Sequence, residues 1–393
     1  MLGVLIGVDA SRVTRARLTG TETYSLQVLR ALLPLDQRND YRLYLSQPLS
    51  RDLLPARDRV DRRVIRMPRL WTHLGLSREM LRAPCDVLFV PSHVIPLVHP
   101  RRTVVVVYDV GHRFFPQAHR LAERVYLEAA IRWHVRVATQ IVTISADTRR
   151  DLVRLFGADP RRVSVAYPAV DGHFRPPPAA AVAEVRRRYG LPERYVLHVG
   201  TLKPRKNVPR LVRAFAAAEL PPDVGLVLAG MATHGAADLR EALDASGVRQ
   251  RVQTLAYVDL ADLPALYGGA TCTAVVSLHE GFGMPALEAL ACGAPTVVSD
   301  RGSLPEVVQS AGLLVDPFSV PSIAAGLTRL VTDGALAGRL RGAGLARARA
   351  FTWDGAAAVT LAALDRAGSG TGPPPSPPAG RTPAPSGRRS DAR

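Results

Sequence analysis

A chain of 393 residues, 47% of them apolar, can fill the cores of two ordinary domains, and no apolar run in it approaches the length of a membrane-spanning helix. Met1–Val8 is too short, and too quickly followed by Asp9, to read as a signal peptide, so the expected address is the cytoplasm. A net charge of +17 invites a nucleic-acid or anionic-membrane reading, but no recognition-helix, zinc-finger or aromatic-basic pattern accompanies it, so no nucleic-acid partner is expected; Cys85, Cys272 and Cys292 are unclustered and read as buried thiols.

The chain opens with an apolar strand over Leu2–Asp9, a polar loop to Gly20 and a helix over about Thr21–Leu33, whose Leu26, Leu29, Leu32 and Leu33 share one face. Further strands are predicted at Arg42–Ser46, Arg63–Met67, Asp86–Pro91, Thr103–Asp109, Ile141–Ser145 and Val163–Tyr167, with helical stretches between several of them. This alternation indicates a doubly wound sheet. Pro168–Pro178, with Pro176-Pro-Pro, reads as a hinge. A second set follows at Tyr195–Gly200, Gly225–Gly230, Val252–Tyr257, Cys272–Leu278, Pro295–Ser299 and Leu313–Val315. The economical reading is an α/β protein with two Rossmann-like domains facing across a cleft, over 1–171 and 191–350, joined by a hinge at 172–190. A helix over 351–366 follows, and the tail 367–393, rich in Pro, Ser, Gly and Arg, is expected to be disordered.

Two stretches of the second domain carry chemistry. The chain's two lysines, Lys203 and Lys206, share one loop with Arg205, although arginine supplies almost all other positive charge. That loop runs into a helix over Asn207–Ala218, with Asn207 expected as its N-cap. The second stretch is Val276–Glu288, where Gly281 and Gly283 supply a turn and Pro285 suits the first helical position before a helix over Ala286–Cys292. Glu280 then sits at the carboxyl end of a strand and Glu288 about one turn into the helix, around a turn suited to phosphate. Crevices outside strand ends are where open α/β sheets bind ligands.

The residues Glu280-Gly-Phe-Gly-Met-Pro-Ala-Leu-Glu288-Ala-Leu-Ala-Cys-Gly293-Ala-Pro295 resemble the signature of the GT-B retaining glycosyltransferases of family 4, a pair of glutamates separated by seven residues in an EGFG[LM]P.LEA.A.G.P context. His198-Val-Gly-Thr-Leu-Lys-Pro-Arg-Lys-Asn207 looks like the same family's GT..PRKN loop. Val104–Pro116, Ile144-Ser145 with Arg149, Asp151 and Leu152, Tyr167-Pro-Ala-Val-Asp171, Asp300–Glu306 and Phe351-Thr-Trp353 are similar to further family segments. The resemblance covers roughly residues 1–365 and is weaker over 45–100.

That resemblance implies a GT-B fold and transfer of a sugar, mannose from GDP-mannose in the first instance, from a nucleotide-diphosphate donor to a hydroxyl of a glycan or lipid-linked acceptor with retention of configuration. It implies that Arg205 and Lys206 neutralise the donor pyrophosphate, Glu280 holds the sugar hydroxyls and Glu288 the ribose. Gly200, Thr201, Gly281, Phe282 and Gly283 would border the donor, Tyr257 and Val258 its base, and Gly20 would approach from the opposite domain. Asp109, in that opposite domain, is expected as a catalytic residue together with Glu280, Arg205 and Lys206. The leaving phosphate itself would deprotonate the acceptor, so neither a cofactor nor a metal is expected. The chain departs from the family at Tyr108, where many members carry a histidine; His112 lies four residues on.

Members with lipid-linked acceptors dock their first domain on the cytoplasmic leaflet. Here Arg113, His119, Arg120, Arg124, Arg132, His134 and Arg136, with Leu121, Val125, Leu127, Ile131 and the pair Leu70-Trp71, form the expected surface, which gives a peripheral position on an anionic membrane. A sugar-nucleotide epimerase on the same fold, or a non-enzymic basic protein that binds membrane or polymer, stay open as alternatives.

Overall fold

A computed structural model describes residues 3–13, 20–50, 53–55, 58–91, 94–116, 120–231 and 236–370. Short aliphatic and β-branched runs become strands. In the first domain these are β1 Leu5–Asp9, β2 Asp40–Leu45, β3 Val60–Val64, β4 Val87–Val90, β5 Thr103–Val107, β6 Gln140–Thr143 and β7 Val163–Val165. In the second they are β8 Arg194–Val199, β9 Val224–Ala229, β10 Val252–Leu255, β11 Cys272–Val275, β12 Thr296–Ser299 and β13 Leu313–Val315. Strands such as β5, Thr-Val-Val-Val-Val, are buried at every position, the pattern of a strand covered by helices on both faces.

The sheets run β3-β2-β1-β4-β5-β6-β7 and β10-β9-β8-β11-β12-β13, with all neighbours parallel. Parallel neighbours need crossover connections, which helices supply. In each sheet the chain starts near the middle, winds outward one way, and returns to wind the other. The strand order therefore reverses between β1 and β4, and again between β8 and β11. Loops leaving such a pair diverge and open a crevice at the sheet's carboxyl edge.

Three expectations change on folding. The edge strand β3 lies three residues before its predicted position and exposes Asp61, Arg62 and Arg63, because its register is fixed by pairing Tyr41 with Val60 and Leu45 with Val64 on β2. A polar edge also resists pairing with other chains. More than half of the segment 172–190 is a helix rather than a connection. Ala179–Tyr189 starts after Pro178 and ends at Gly190 in the left-handed region, and Arg188 and Tyr189 bind Asp262 of the second domain at 2.8 and 2.9 Å. The last helix, Trp353–Ser369, runs three residues beyond its expected end and returns to the first domain. Its Ala356, Ala357, Thr360, Ala363 and Ala367 are small enough to lie closely along the helix Gly20–Leu35, and Arg366 reaches Ser164 at 2.8 Å. Beyond Gly370 the expected tail lies outside the described residues. All three cysteines are free and buried.

Candidate active site

The loops after β8 and β11 leave adjacent parallel strands at the reversal point and are stitched together where Leu278 N–H donates to Arg205 O at 2.8 Å. A 3-10 turn over Pro204–Lys206 aims both cations at the second loop. Lys206 Nζ donates to Glu280 Oε1 at 2.5 Å and Arg205 Nη1 to Glu280 Oε2 at 2.7 Å. Glu280 and Lys206 are 5% and 7% exposed, so neither is a solvated loop residue. Burial pushes the Glu280 carboxyl up, but the charges of Lys206 and Arg205 together with hydrogen bonds more than offset it and hold it at about 2. Glu280 is therefore a permanent carboxylate that can only accept hydrogen bonds.

Other expected residues gather around this fork to differing degrees. A side chain at Gly200 would lie 3.6 Å from Lys206 Cε, and Thr201 beside it is exposed. The helix bearing Glu288 spans Met284–Ala291 and starts from Gly283 at φ 105°, with no side chain capping it. Glu288 is half-buried and its Oε2 accepts from Tyr267 Oη at 2.8 Å. Burial raises this carboxyl, and the Tyr267 bond and Lys206 charge pull it back only in part. Gly281 lies against the first domain, since a Cβ there would stand 2.4 Å from Tyr108 O. Asp109 is exposed on the first-domain side and accepts from Gly111 N–H at 2.8 Å; burial alone would lower the pKa of Arg205, but Glu280, with a smaller contribution from Asp109, raises it.

Several expected residues take other surroundings. Phe282 is 3% exposed and packs with Tyr167 and Phe351, because an aromatic ring in this loop gains more from the domain core than from an open cleft. Asn207 is not a side-chain cap: at φ 62° it donates to Val276 O and Pro317 O and accepts from Arg210, tying the lysine loop to its neighbours. Tyr108 turns inward and donates to Pro91 O at 2.5 Å, while buried His112 pairs with Glu128. Gly20 opens its helix at an exposed position, Tyr257 is 71% exposed and Val258 half-buried beyond β10.

Two residues that the sequence reading passed over lie between the domains. His279, next to Glu280, stacks on Phe114 with centroids 4.8 Å apart. Glu306 reaches from the second domain to the helix Ala146–Phe156 of the first, accepting from Ala146 N–H and Asp147 N–H at 3.0 Å each, while Tyr167 Oη donates to it at 3.0 Å. Its negative charge complements that helix's amino end. Glu306 lies in a matched segment and His279 in the glutamate loop, which is the signal that could have singled them out.

A large cavity lies elsewhere. It holds about 1000 Å³ in the first domain, beyond β1, β2 and β3, and its walls include Arg12, Arg66, Trp71, His73 and Tyr126. The Glu280 fork opens instead toward the interdomain gap through Asp109 and Arg205. A fixed carboxylate, two cations and an uncapped helix start can together receive a phosphate group with attached hydroxyls.

The family described as "Glycosyl transferases group 1" matches residues 183–346. The O-antigen chain mannosyltransferase B of Escherichia coli is 32% identical over 264 residues, 66% of this chain and 69% of that protein. A D-inositol 3-phosphate glycosyltransferase of Salinispora tropica is 34% identical over 281 residues, 66% of this chain and 57% of that protein, so the match spans less than two thirds of that relative. Among solved structures, sucrose-phosphate synthase from Thermosynechococcus elongatus superposes with a TM-score of 0.70 at 21% identity, over 92% of this chain and 98% of that one. Anabaena HepE in complex with UDP and glucose gives 0.70 at 18%, over 92% and 99%. These structural likenesses establish the two-domain GT-B fold.

Proposed function

Because this chain belongs to the group 1 glycosyl transferases and is a glycosyltransferase, we propose that it moves a sugar from a nucleotide-diphosphate donor to a hydroxyl of a glycan or lipid-linked acceptor with retention of configuration. The observation that carries the reading is the buried Glu280 carboxylate clasped by Arg205 and Lys206. Arg205 is 35% exposed at its side chain and has further N–H groups to offer a pyrophosphate. Lys206 adds charge from beneath. Glu280 accepts from sugar hydroxyls, and Glu288, with one oxygen bound by Tyr267, offers the other to the ribose. The bond between the anomeric carbon and the phosphate oxygen breaks as the acceptor oxygen attacks the same face, and the acceptor proton passes to the leaving phosphate. Charge growing on that phosphate is stabilised by fixed cations and the start of the helix Met284–Ala291.

Mannose, carried by GDP, is the proposed sugar, on the strength of the mannosyltransferase named above. A thermal-shift screen over nucleotide diphosphates and their sugars, followed by product analysis, tests it. Stabilisation by GDP and GDP-mannose, with an α-linked product, is expected. Preference for UDP and UDP-glucose would replace the donor, and no response to any of them would remove the reading.

The acceptor belongs in the first-domain cavity, whose aromatic and arginine walls suit a ring or an anionic headgroup. Beside it Leu70, Leu74, Leu121, Val125 and Tyr126 are exposed, and His73 and Tyr126 join the two segments that carry them. This apolar patch, rather than the wider arginine cluster, supports peripheral docking on an anionic inner leaflet. Within the expected cluster, Ile131 and His134 are buried, Arg113 and Arg132 are engaged by Glu128, and His119 lies outside the described residues. No described helix is long and apolar enough to cross a membrane.

A further inference from the structure

We propose that Asp147, Asp151 and His279 bind one divalent transition-metal ion, of the zinc class, that fastens the two domains across the cleft. Asp147 and Asp151 stand four residues apart on the helix Ala146–Phe156 and so share one face. Their side chains are 15% and 8% exposed. Opposite them, from the other domain, His279 is 8% exposed and its Nε2 has no hydrogen-bond partner. One ligand atom from each residue lies within 4.8 Å of the others. A buried imidazole nitrogen without a partner, on a ring that stands close to two carboxylates, is costly unless something satisfies it.

One imidazole and two carboxylates are a zinc donor set that leaves a fourth position open. Ligand atoms held at about 2.0–2.2 Å from an ion stand roughly 3–4 Å apart, so the three side chains need to close by about an ångström. The site has room for this, since it borders a cavity of about 450 Å³ that also touches Phe114, Arg301 and Phe318. Arg154 and Arg150 each bind one aspartate oxygen, but their side chains are 65% and 66% exposed, and such pairs hold weakly enough to yield to an ion. Because the ligands come from both domains, the ion binds the closed arrangement only and shifts the population toward it. Glu306 already anchors the same helix from across the cleft, so the aspartate face is presented in a fixed orientation.

The test uses the full chain without a polyhistidine tag, stripped of metal by chelation, with no nucleotide or sugar present. Calorimetric titration with zinc chloride, and the visible absorption of added cobalt, should report one ion per chain, and the melting temperature should rise with zinc. Asp151→Asn, Asp147→Asn and His279→Gln should each weaken binding at least about tenfold, while His99→Gln, on the first domain, should not. Asp147→Asn alters the most exposed of the three ligands and keeps the test decisive should the other variants misfold. Absence of saturable zinc uptake, or equal uptake by Asp147→Asn and the unaltered chain, overturns the proposal. Since no substrate enters the measurement, either outcome is separable from the glycosyl-transfer reading.

Discussion

Replacing Lys206 by Met is the most searching single perturbation of the glutamate fork, because it removes the buried cation while keeping the length of the side chain. Glu280 titrates at about 2 against an ordinary 4.5, which corresponds to roughly 3 kcal/mol in favour of the ionised form. Lys206 is the largest favourable contributor and Arg205 the next. Removing one partner from a buried pair costs about 3–5 kcal/mol; with Arg205 still on Oε2, we expect about 3 kcal/mol for Lys206→Met. Glu280→Gln strands a buried ammonium and should cost a similar amount. The double variant should lose less than the two singles summed, by about 2 kcal/mol or more, since it leaves no buried charge alone. The assay is urea unfolding at pH 7, repeated down to pH 3. For a carboxyl whose pKa is lowered by folding, stabilisation is complete above about 4.5 and is lost as pH falls toward 2. Acidification should therefore narrow the gap between Lys206→Met and the unaltered chain. Wild-type midpoints for Lys206→Met at pH 7, or strict additivity in the double variant, would refute this account of the loop.

Arg205→Ala should behave differently, because its half-open guanidinium does less for the fold: under about 1 kcal/mol of stability, against a transfer barrier raised by about 2–4 kcal/mol, read as kcat/KM beside an unfolding curve. Glu288→Gln retains an acceptor for Tyr267, so its melting temperature should stay unchanged while nucleotide binding weakens about tenfold; unfolding instead would make Glu288 a structural residue. His198 is buried, donates through Nδ1 to Ala274 O, and burial lowers its pKa to about 4 from 6.5. It is neutral when folded, so stability is full above pH 6.5 and falls between there and pH 4, by roughly 3 kcal/mol in all; His198→Gln should flatten that limb of the unfolding profile. Glu306→Gln removes the charge that caps a first-domain helix from the second domain, at about 1 kcal/mol, and proteolysis within 168–178 should quicken; an unchanged cleavage rate would count against an interdomain role.

Each strand expected from the sequence has a counterpart in the fold, because a parallel strand covered on both faces must be apolar throughout, and that signal is local. The misplaced strand, β3, lies on an edge and is mostly charged, so its position comes from pairing with β2 rather than from its own composition. The last helix shows a different limit. Its alanine-rich face is equally compatible with either sheet, and only the tertiary fit against the helix Gly20–Leu35 selects the first.

At the site, the motif made Arg205, Lys206, Glu280 and Glu288 legible, but not how they are held. Lys206 has the composition of a surface residue, and its burial follows from the strand reversal between β8 and β11, which brings two distant loops together. The same geometry explains the errors. Asn207 carries a good capping side chain, yet its left-handed backbone and the proximity of Val276 O and Pro317 O redirect it into cross-loop bonds. Phe282 sits between two glycines that look like a ligand turn, but the glycines serve the backbone: one permits contact with Tyr108 O, the other starts a helix at φ 105°. The ring between them is left to pack inward. Residues that reach across to the other domain were least legible of all, since His279 and Glu306 meet Phe114 and the helix Ala146–Phe156 only when the cleft is assembled. A residue's chemistry can be read from one loop; its partner across a cleft cannot.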